Sequence, residues 1–544
     1  MEIVSIVLIL LVAVVISGAI SRMLPVGIPT PLVQIGLGSL IGLAANLRVD
    51  LDPELFLLLF LPPLLFLDGW RIPKDELLKD VSTVFELALG LVLLTVLGVG
   101  IFIHWLIPAM PLAVAFALAA VVSPTDPIAV SAIAARVPIP KRMMHILEGE
   151  SLLNDASGLV CLRFAIAAAL TGTFSIGQAS ATFVWLAVGG LAIGVAVTLA
   201  VTRAKAWISA RFGEDTGSQI LISLLIPFAA YILAEHVHCS GILAAVAAGV
   251  TMTFAEISRQ ALPVTRMRRN SVWDTIQFAL NGIIFVLLGE QLPGILAAAK
   301  QTVRLTDHAN PWWLAIYVLA IMVALVALRF LWVWVSFRLT LFRAREEVPY
   351  RRPDWRLVAA MSVAGVRGAI TLAGVLTIPL TLNDGMAFPA RDLAIFLAAG
   401  VIILSLILAS VCLPLLLRDL TMPAEPSKQA QEDQARVASA QAAIRAIEQA
   451  QHVLAEGRGD ADVYVDTGAR IMDLYRERID SRIQPDGAMR EVNRQAGVER
   501  DLRLAGLKGE RDEIFKMARN RSIGSEIAQK LIRELDLAEV RYRQ

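Results

Sequence analysis

Thirteen apolar runs, most of them long enough to cross a bilayer, take up most of the first 420 of 544 residues. They fall at roughly 3–20, 28–46, 51–68, 84–106, 111–134, 147–171, 180–202, 217–236, 239–256, 272–290, 312–337, 357–380 and 392–417. A chain that is 56% hydrophobic, with a mean hydropathy of +0.66, is too apolar for a water-soluble domain. The expected fold is therefore an all-α polytopic membrane protein of about thirteen helices. A net charge of +1 leaves no basic excess for phosphates, so nucleic acid is not an expected partner. Cys161, Cys239 and Cys412 are far apart in or beside apolar segments and read as small buried hydrophobes. The first run has only Glu2 before it, with no basic region and no Ala-x-Ala site, and reads as a retained helix.

The loops between runs alternate in charge. Arg22, then Arg71, Lys74 and Lys79, then Arg136, Lys141 and Arg142 fall on one side. Arg203, Lys205 and Arg211, then Arg259, Arg266, Arg268 and Arg269, then the stretch Arg338 to Arg356 join them. The other side has Arg48, Lys300, Arg304 and Arg391. This asymmetry makes the first side cytoplasmic, puts the N-terminus outside and the C-terminus inside, and agrees with an odd number of spans. After Arg418 the composition turns polar, which divides the chain into a transmembrane domain, 1–420, and a cytoplasmic helical domain, 421–544. Helices are expected there at Ala430 to Ala455, Asp466 to Ile479 and Ser522 to Arg543, with a turn at Gly457-Arg458-Gly459-Asp460. No catalytic motif stands out in this tail, and a regulatory or dimer-supporting part is assigned to it.

An inverted repeat is expected: two six-helix units joined by the seventh run, so that run five corresponds to run twelve with its direction reversed. Both are interrupted, run five by Pro124 and Pro127 and run twelve by Gly365-Val366-Arg367-Gly368. Matched interruptions are the strongest sequence pointer to a transporter's binding site. Proline removes a backbone donor, and the exposed helix ends can face an ion.

The charges inside the apolar runs carry the chemistry, because an ionisable group at membrane depth is expensive. Gly149-Glu150-Ser151-Leu152-Leu153-Asn154-Asp155 lies in run six. Ser151, Asn154 and Asp155 are expected on one helix face, a set of hard oxygens suited to a small hard cation. The same cluster would also serve to bind helices together. Ser123-Pro124-Thr125-Asp126-Pro127 sets Asp126 and Thr125 in the break of run five, as ion ligands, as a turn cap, or both. Arg367 needs a carboxylate partner, and Glu150 is the candidate for a structural salt bridge. Asp68 ends run three and either lines the cytoplasmic mouth of an ion pathway or faces headgroups. Arg163 either biases the site's electrostatics or bonds a neighbouring helix. Glu235, His236, His238, Glu256 and Glu290 are read as solvated helix ends, the histidines with a pH-sensing alternative. Trp70, Trp105, Trp312 and Trp313 are read as an interfacial belt.

A carboxylate taken out of water holds its proton more tightly than in solution. A cation favours the ionised form, so one carboxylate carries a cation or a proton and not both. If only loaded carriers reorient, exchange is obligatory. No Walker motif is present, and the energy would come from an ion gradient; no cofactor is expected.

These motifs resemble the monovalent cation:proton antiporter-1 family, bacterial NhaP-type Na+/H+ antiporters related to eukaryotic NHE-type exchangers. The resemblance covers about residues 1–420 and rests on Leu-Pro-Pro-Leu-Leu-Phe-Leu-Asp at 61–68, Ser-Pro-Thr-Asp-Pro at 123–127, Gly-Glu-Ser-Leu-Leu-Asn-Asp at 149–155 and Gly-Val-Arg-Gly-Ala at 365–369. It implies crossed discontinuous helices, a homodimer and a bacterial inner-membrane location. It also implies that Asp155 is the essential ion carboxylate, with Asp126, Thr125 and Ser151 around it, Asn154 in support and Glu150 paired with Arg367. Na+ is the implied cation, with Li+ or K+ as alternatives. The electrogenic sister family has two adjacent aspartates where this chain has Asn154-Asp155, so one titrating carboxylate implies electroneutral 1:1 exchange. A cation channel is the alternative function, but no filter-like repeat is present. An aspartyl hydrolase using Asp126 and Asp155 would need a Gly-x-Gly-Asp motif, which the chain lacks.

Overall fold

The computed structural model describes residues 2–24, 28–45, 53–71, 90–126, 130–131, 141–171, 176–257, 263–303, 310, 312–343, 355–382, 385–418, 426–456, 461–483, 486–520, 522–523 and 525–543. Pro127, the loop cations Arg48, Lys74, Lys79, Arg136, Arg259 and Arg304, much of the basic stretch before Trp355 and the turn at 457–460 lie outside the described residues, as does the side chain of Glu256. The chain divides into two compact units, Met1–Leu420 and Thr421–Gln544.

In the first unit each apolar run contains helix: α1 (Glu2–Met23), α2 (Thr30–Ala45), α3 (Pro53–Arg71), α4 (Leu91–Leu106), α5 (Leu112–Val122), α6 (Lys141–Thr171), α7 (Ile176–Phe212), α8 (Thr216–His236), α9 (Gly241–Ile257), α10 (Pro263–Val303), α11 (Trp312–Arg343), α12 (Trp355–Val363), α13 (Ala369–Leu376) and α14 (Arg391–Leu417). Among the described residues, six stretches are long and apolar enough to cross a membrane alone, and shorter apolar helices accompany them. Many large apolar side chains face outward, among them Val188 and Leu191 on α7, Leu221 and Leu225 on α8, and Leu319 and Val323 on α11. Such a surface fits lipid tails and not water. This is a multi-pass membrane protein.

Lipid gives apolar helices little hydrophobic reason to associate, so close backbone approach matters more. α2 lies on α10 and α3 on α9. At these contacts the place of a Cβ on Gly289 is taken by the Ile35 carbonyl, and that of a Cβ on Gly249 by the Phe66 carbonyl. Phe66, Trp70 and Trp273 stack together where α3 meets α10, and the Arg269 guanidinium lies 5.0 Å from the Trp70 ring centre. Trp70 is therefore buried packing and not part of an interfacial belt, whereas Trp105 and Trp312 are exposed. Glu290 is also buried, because α10 continues thirteen residues past it to Val303.

Two helices break where the sequence places proline and glycine. α5 stops at Val122, and Pro124 to Asp126 are not helical. α12 and α13 are separated by Ala364 to Gly368. The breaks meet: the Asp126 amide donates to the Val366 carbonyl at 2.7 Å. The Arg367 amide donates to Ser405 Oγ on α14 at 3.1 Å. Backbone groups freed by the breaks thus find partners inside the protein, as a low-dielectric surrounding demands.

The second unit holds α15 (Pro426–Ala455), α16 (Ala461–Ile483), α17 (Asp486–Arg519) and α18 (Ser525–Arg543). α15 packs on α16 and α17 on α18. Arg511 pairs with Asp536 at 2.7 Å and also with Glu539, and Arg503 donates to the Tyr542 hydroxyl at 2.6 Å. The sequence reading had no helix between Ile479 and Ser522; α17 fills that stretch.

Candidate ion site

α6 passes beside both breaks and presents two neighbouring rows. Glu150 and Asn154 are four residues apart, as are Ser151 and Asp155, so each pair occupies its own stripe. The Ser151–Asp155 stripe lines a partly open cleft. The same cleft is walled by Leu64 and Asp68 of α3, Pro124, Thr125 and Asp126 of the first break, Asn281 of α10, and Gly368 to Thr371 at the start of α13. Three carboxylates and three hydroxyl side chains, Thr125, Ser151 and Thr371, therefore line it. Asp155, Ser151 and Thr125 are buried, and Asp126 and Asp68 are partly exposed.

The other stripe faces away. Asn154 Nδ2 donates to Thr125 Oγ1 at 2.9 Å, and Thr125 Oγ1 donates to Glu150 Oε1 at 3.3 Å. Asn154 is not a lining residue; it holds Thr125 in place. Asn154, three residues beyond Ser151, thus serves the cleft through Thr125 and not as a lining residue itself.

The expected Glu150–Arg367 pair is corrected. Glu150 binds Arg329 of α11 with both oxygens, the Nη2–Oε2 distance being 2.8 Å, and Arg329 Nε donates to the Met361 carbonyl at 3.0 Å. The pair is almost fully buried, at 0% and 2% side-chain exposure, so its bidentate geometry is what offsets the loss of water. Arg367 instead donates from Nε to the Val122 carbonyl at 2.9 Å and from Nη1 to the Gly365 carbonyl. Val122 closes α5, so the guanidinium sits at the negative end of a helix dipole. Asp126 does the converse. Its carboxylate fills the space a Cβ on Gly368 would need, at the positive end of α13. Each break supplies the charge that the other helix end favours.

Arg163 pairs with Glu235 of α8 at 2.8 Å, and Glu235 also accepts from the Gly241 amide at 3.1 Å. Arg163 therefore bonds a neighbouring helix, and Glu235 is not a merely solvated end. Arg71, three residues beyond Asp68, donates to Gln277 Oε1 at 2.9 Å and pairs with Asp274, both on α10. The sequence reading missed Arg329 and Asn281. Both are polar groups within apolar runs, the same signal that marked Asp155.

The sodium/hydrogen exchanger transmembrane family model matches residues 7–419. An Escherichia coli (strain K12) protein named an uncharacterized Na(+)/H(+) exchanger, YjcE, is 43% identical over 547 residues, covering 99% of this chain and 98% of that protein. A Bacillus pumilus protein named a sodium, potassium, lithium and rubidium/H(+) antiporter is 47% identical over 419 residues, which span 76% of this chain and 61% of the relative. The sodium/proton antiporter MjNhaP1 of Methanocaldococcus jannaschii shares the fold, with a TM-score of 0.59 at 19% identity over 77% of this chain and 99% of that one. A helical membrane protein with broken helices crossing beside buried acids has the form of a secondary ion transporter. The chain belongs to the sodium/hydrogen exchanger family and is a monovalent cation:proton antiporter.

Proposed function

We propose that this chain exchanges one Na+ for one H+ at Asp155. The observation that carries this reading is the convergence of Asp155, Asp126, Thr125 and Ser151 on one cleft at the crossing of the two breaks. In the cleft a cation meets carboxylate and hydroxyl oxygens, a set suited to a hard ion. A proton on Asp155 removes the charge that holds the cation. Proton and cation therefore compete, and the empty ionised site is the costly state. Thr125 is held by Asn154 and Glu150, so its hydroxyl is pre-positioned. A single acid at the Asn154-Asp155 position supports electroneutral exchange. Li+ and K+ are further substrates on this reading, and the Bacillus pumilus relative's name supports that breadth.

The architecture we infer has thirteen spans in two inverted units, α1 to α6 and α8 to α14, with α12 and α13 forming one interrupted span. The pairing of helices supports it. Shifting by seven spans maps the α2–α10 contact onto α9–α3, α1–α2 onto α8–α9, and α4–α5 onto α11–α12, and all of these occur. Residues 421–544 form a cytoplasmic domain, the N-terminus is outside, and the protein works as a homodimer in a bacterial inner membrane.

The test is proton flux in proteoliposomes with an imposed pH difference and a trapped pH dye. In K+-free medium, with the voltage short-circuited by a membrane-permeant anion, NaCl should collapse the pH difference for the wild type. Asp155→Asn should lose this response while reconstituting normally. Flux that persists in that variant puts the ion on another carboxylate.

A further inference from the structure

Among the described residues, Asn281 is the one cleft-lining amide, and it comes from α10. Its residue exposure is 9%, and its Oδ1 has no hydrogen-bond partner among the described residues. A buried amide oxygen without a protein partner is unusual in a folded interior and calls for a water or an ion. Helices nearby explain how it arrives there. Arg71 joins the end of α3 to Asp274 and Gln277 of α10. Asp68 lies three residues before Arg71, and Asn281 lies one turn beyond Gln277. The clamp therefore joins the two helices that bring Asp68 and Asn281 to the cleft.

We propose that Asn281 contacts the transported cation or its remaining water and sets which cation is preferred. This rests on the reading that the cation sits at Asp155. A small cation bound to carboxylates on one side keeps unfilled coordination positions on the other. A neutral amide can fill one, directly or through water, without adding a fourth charge to the cleft. A neutral ligand of fixed reach discriminates by cation size and hydration, whereas a further carboxylate would mainly raise affinity for all.

The test compares wild type, Asn281→Ala, Asn281→Asp and Asp155→Asn in proteoliposomes, with KM and maximal rate for Na+, Li+ and K+. Cation-induced thermal stabilisation in detergent is measured alongside. Asn281→Ala should raise KM for the preferred cation about tenfold. The shift should be unequal among the three ions, the maximal rate should change less than about threefold, and the cation-induced stabilisation should shrink. Asn281→Asp keeps an oxygen in place and should restore low KM for at least one cation. The proposal is overturned by unchanged KM and ranking in a folded Asn281→Ala. It is equally overturned by a uniform loss of rate for all three ions with KM intact, as a purely structural amide would give. Activity in Asp155→Asn would sink the underlying site assignment instead, whatever Asn281 does.

Discussion

Adjacent side chains on α6 have opposite tasks. Asp155 faces the cleft, and Asn154 donates to Thr125, which in turn donates to Glu150 of the buried Glu150–Arg329 pair. Losing one member of such a pair leaves a bare charge in the interior. Arg329→Gln should cost on the order of 3–5 kcal/mol. The double variant Glu150→Gln/Arg329→Gln should regain much of this, because both charges are gone. Thermal unfolding in detergent reads the difference, and equal stability of the single and double variants would refute it. The three acids, Ser151 and Thr125 of the cleft were legible in the sequence because buried acids and hydroxyls stand out in apolar runs, whereas Asn281 was not. The partner of Glu150 was not. Three arginines, Arg163, Arg329 and Arg367, lie within apolar runs, and only the tertiary arrangement shows that Arg163 pairs with Glu235 and that Arg367 is already satisfied by the carbonyls of Val122 and Gly365.

Elements matter here chiefly through their interruptions. Proline and glycine announced both breaks, and both occur. Their mutual compensation could not be read from either segment alone, since it depends on Asp126 meeting α13 and Arg367 meeting α5. Gly368 is where the fit is tightest: any side chain there displaces the Asp126 carboxylate. Gly368→Ala should lower exchange by at least about tenfold, since small misplacements of reacting groups are costly. Gly294→Ala, with open space around its position, should leave the rate unchanged. Equal rates in the two variants would show that the break tolerates rearrangement. The missed helix α17 has a plainer cause. Its long charged sequence hid a sparse apolar stripe, which reads as helix only once α18 packs on it.

At the scale of the molecule, the cleft is shared by two groups of helices. α3 and α10 bring Asp68 and Asn281; α6, α13 and the first break bring the rest. Relative movement of the groups would change which side of the membrane the cleft meets, which is how an alternating-access carrier works. The transmembrane unit is compact by its own contacts, and the family match ends at residue 419. A chain ending at Leu420 should therefore retain cation-dependent exchange in vesicles, with altered regulation as the expected loss; complete inactivity of a well-folded truncation would tie the tail to transport itself.

The central claim is that cation and proton compete for one carboxylate. Competition fixes a sign: raising the proton concentration weakens apparent cation binding, because the ligand must be deprotonated. The most direct measurement is the KM for Na+ in proteoliposomes as a function of equal pH on both sides. KM should rise as pH falls, approaching about tenfold per pH unit in the acid range, with a plateau at high pH and a maximal rate reached at saturating Na+ throughout. A KM that does not change with pH would contradict it, and a limiting slope of two protons would contradict single-carboxylate exchange.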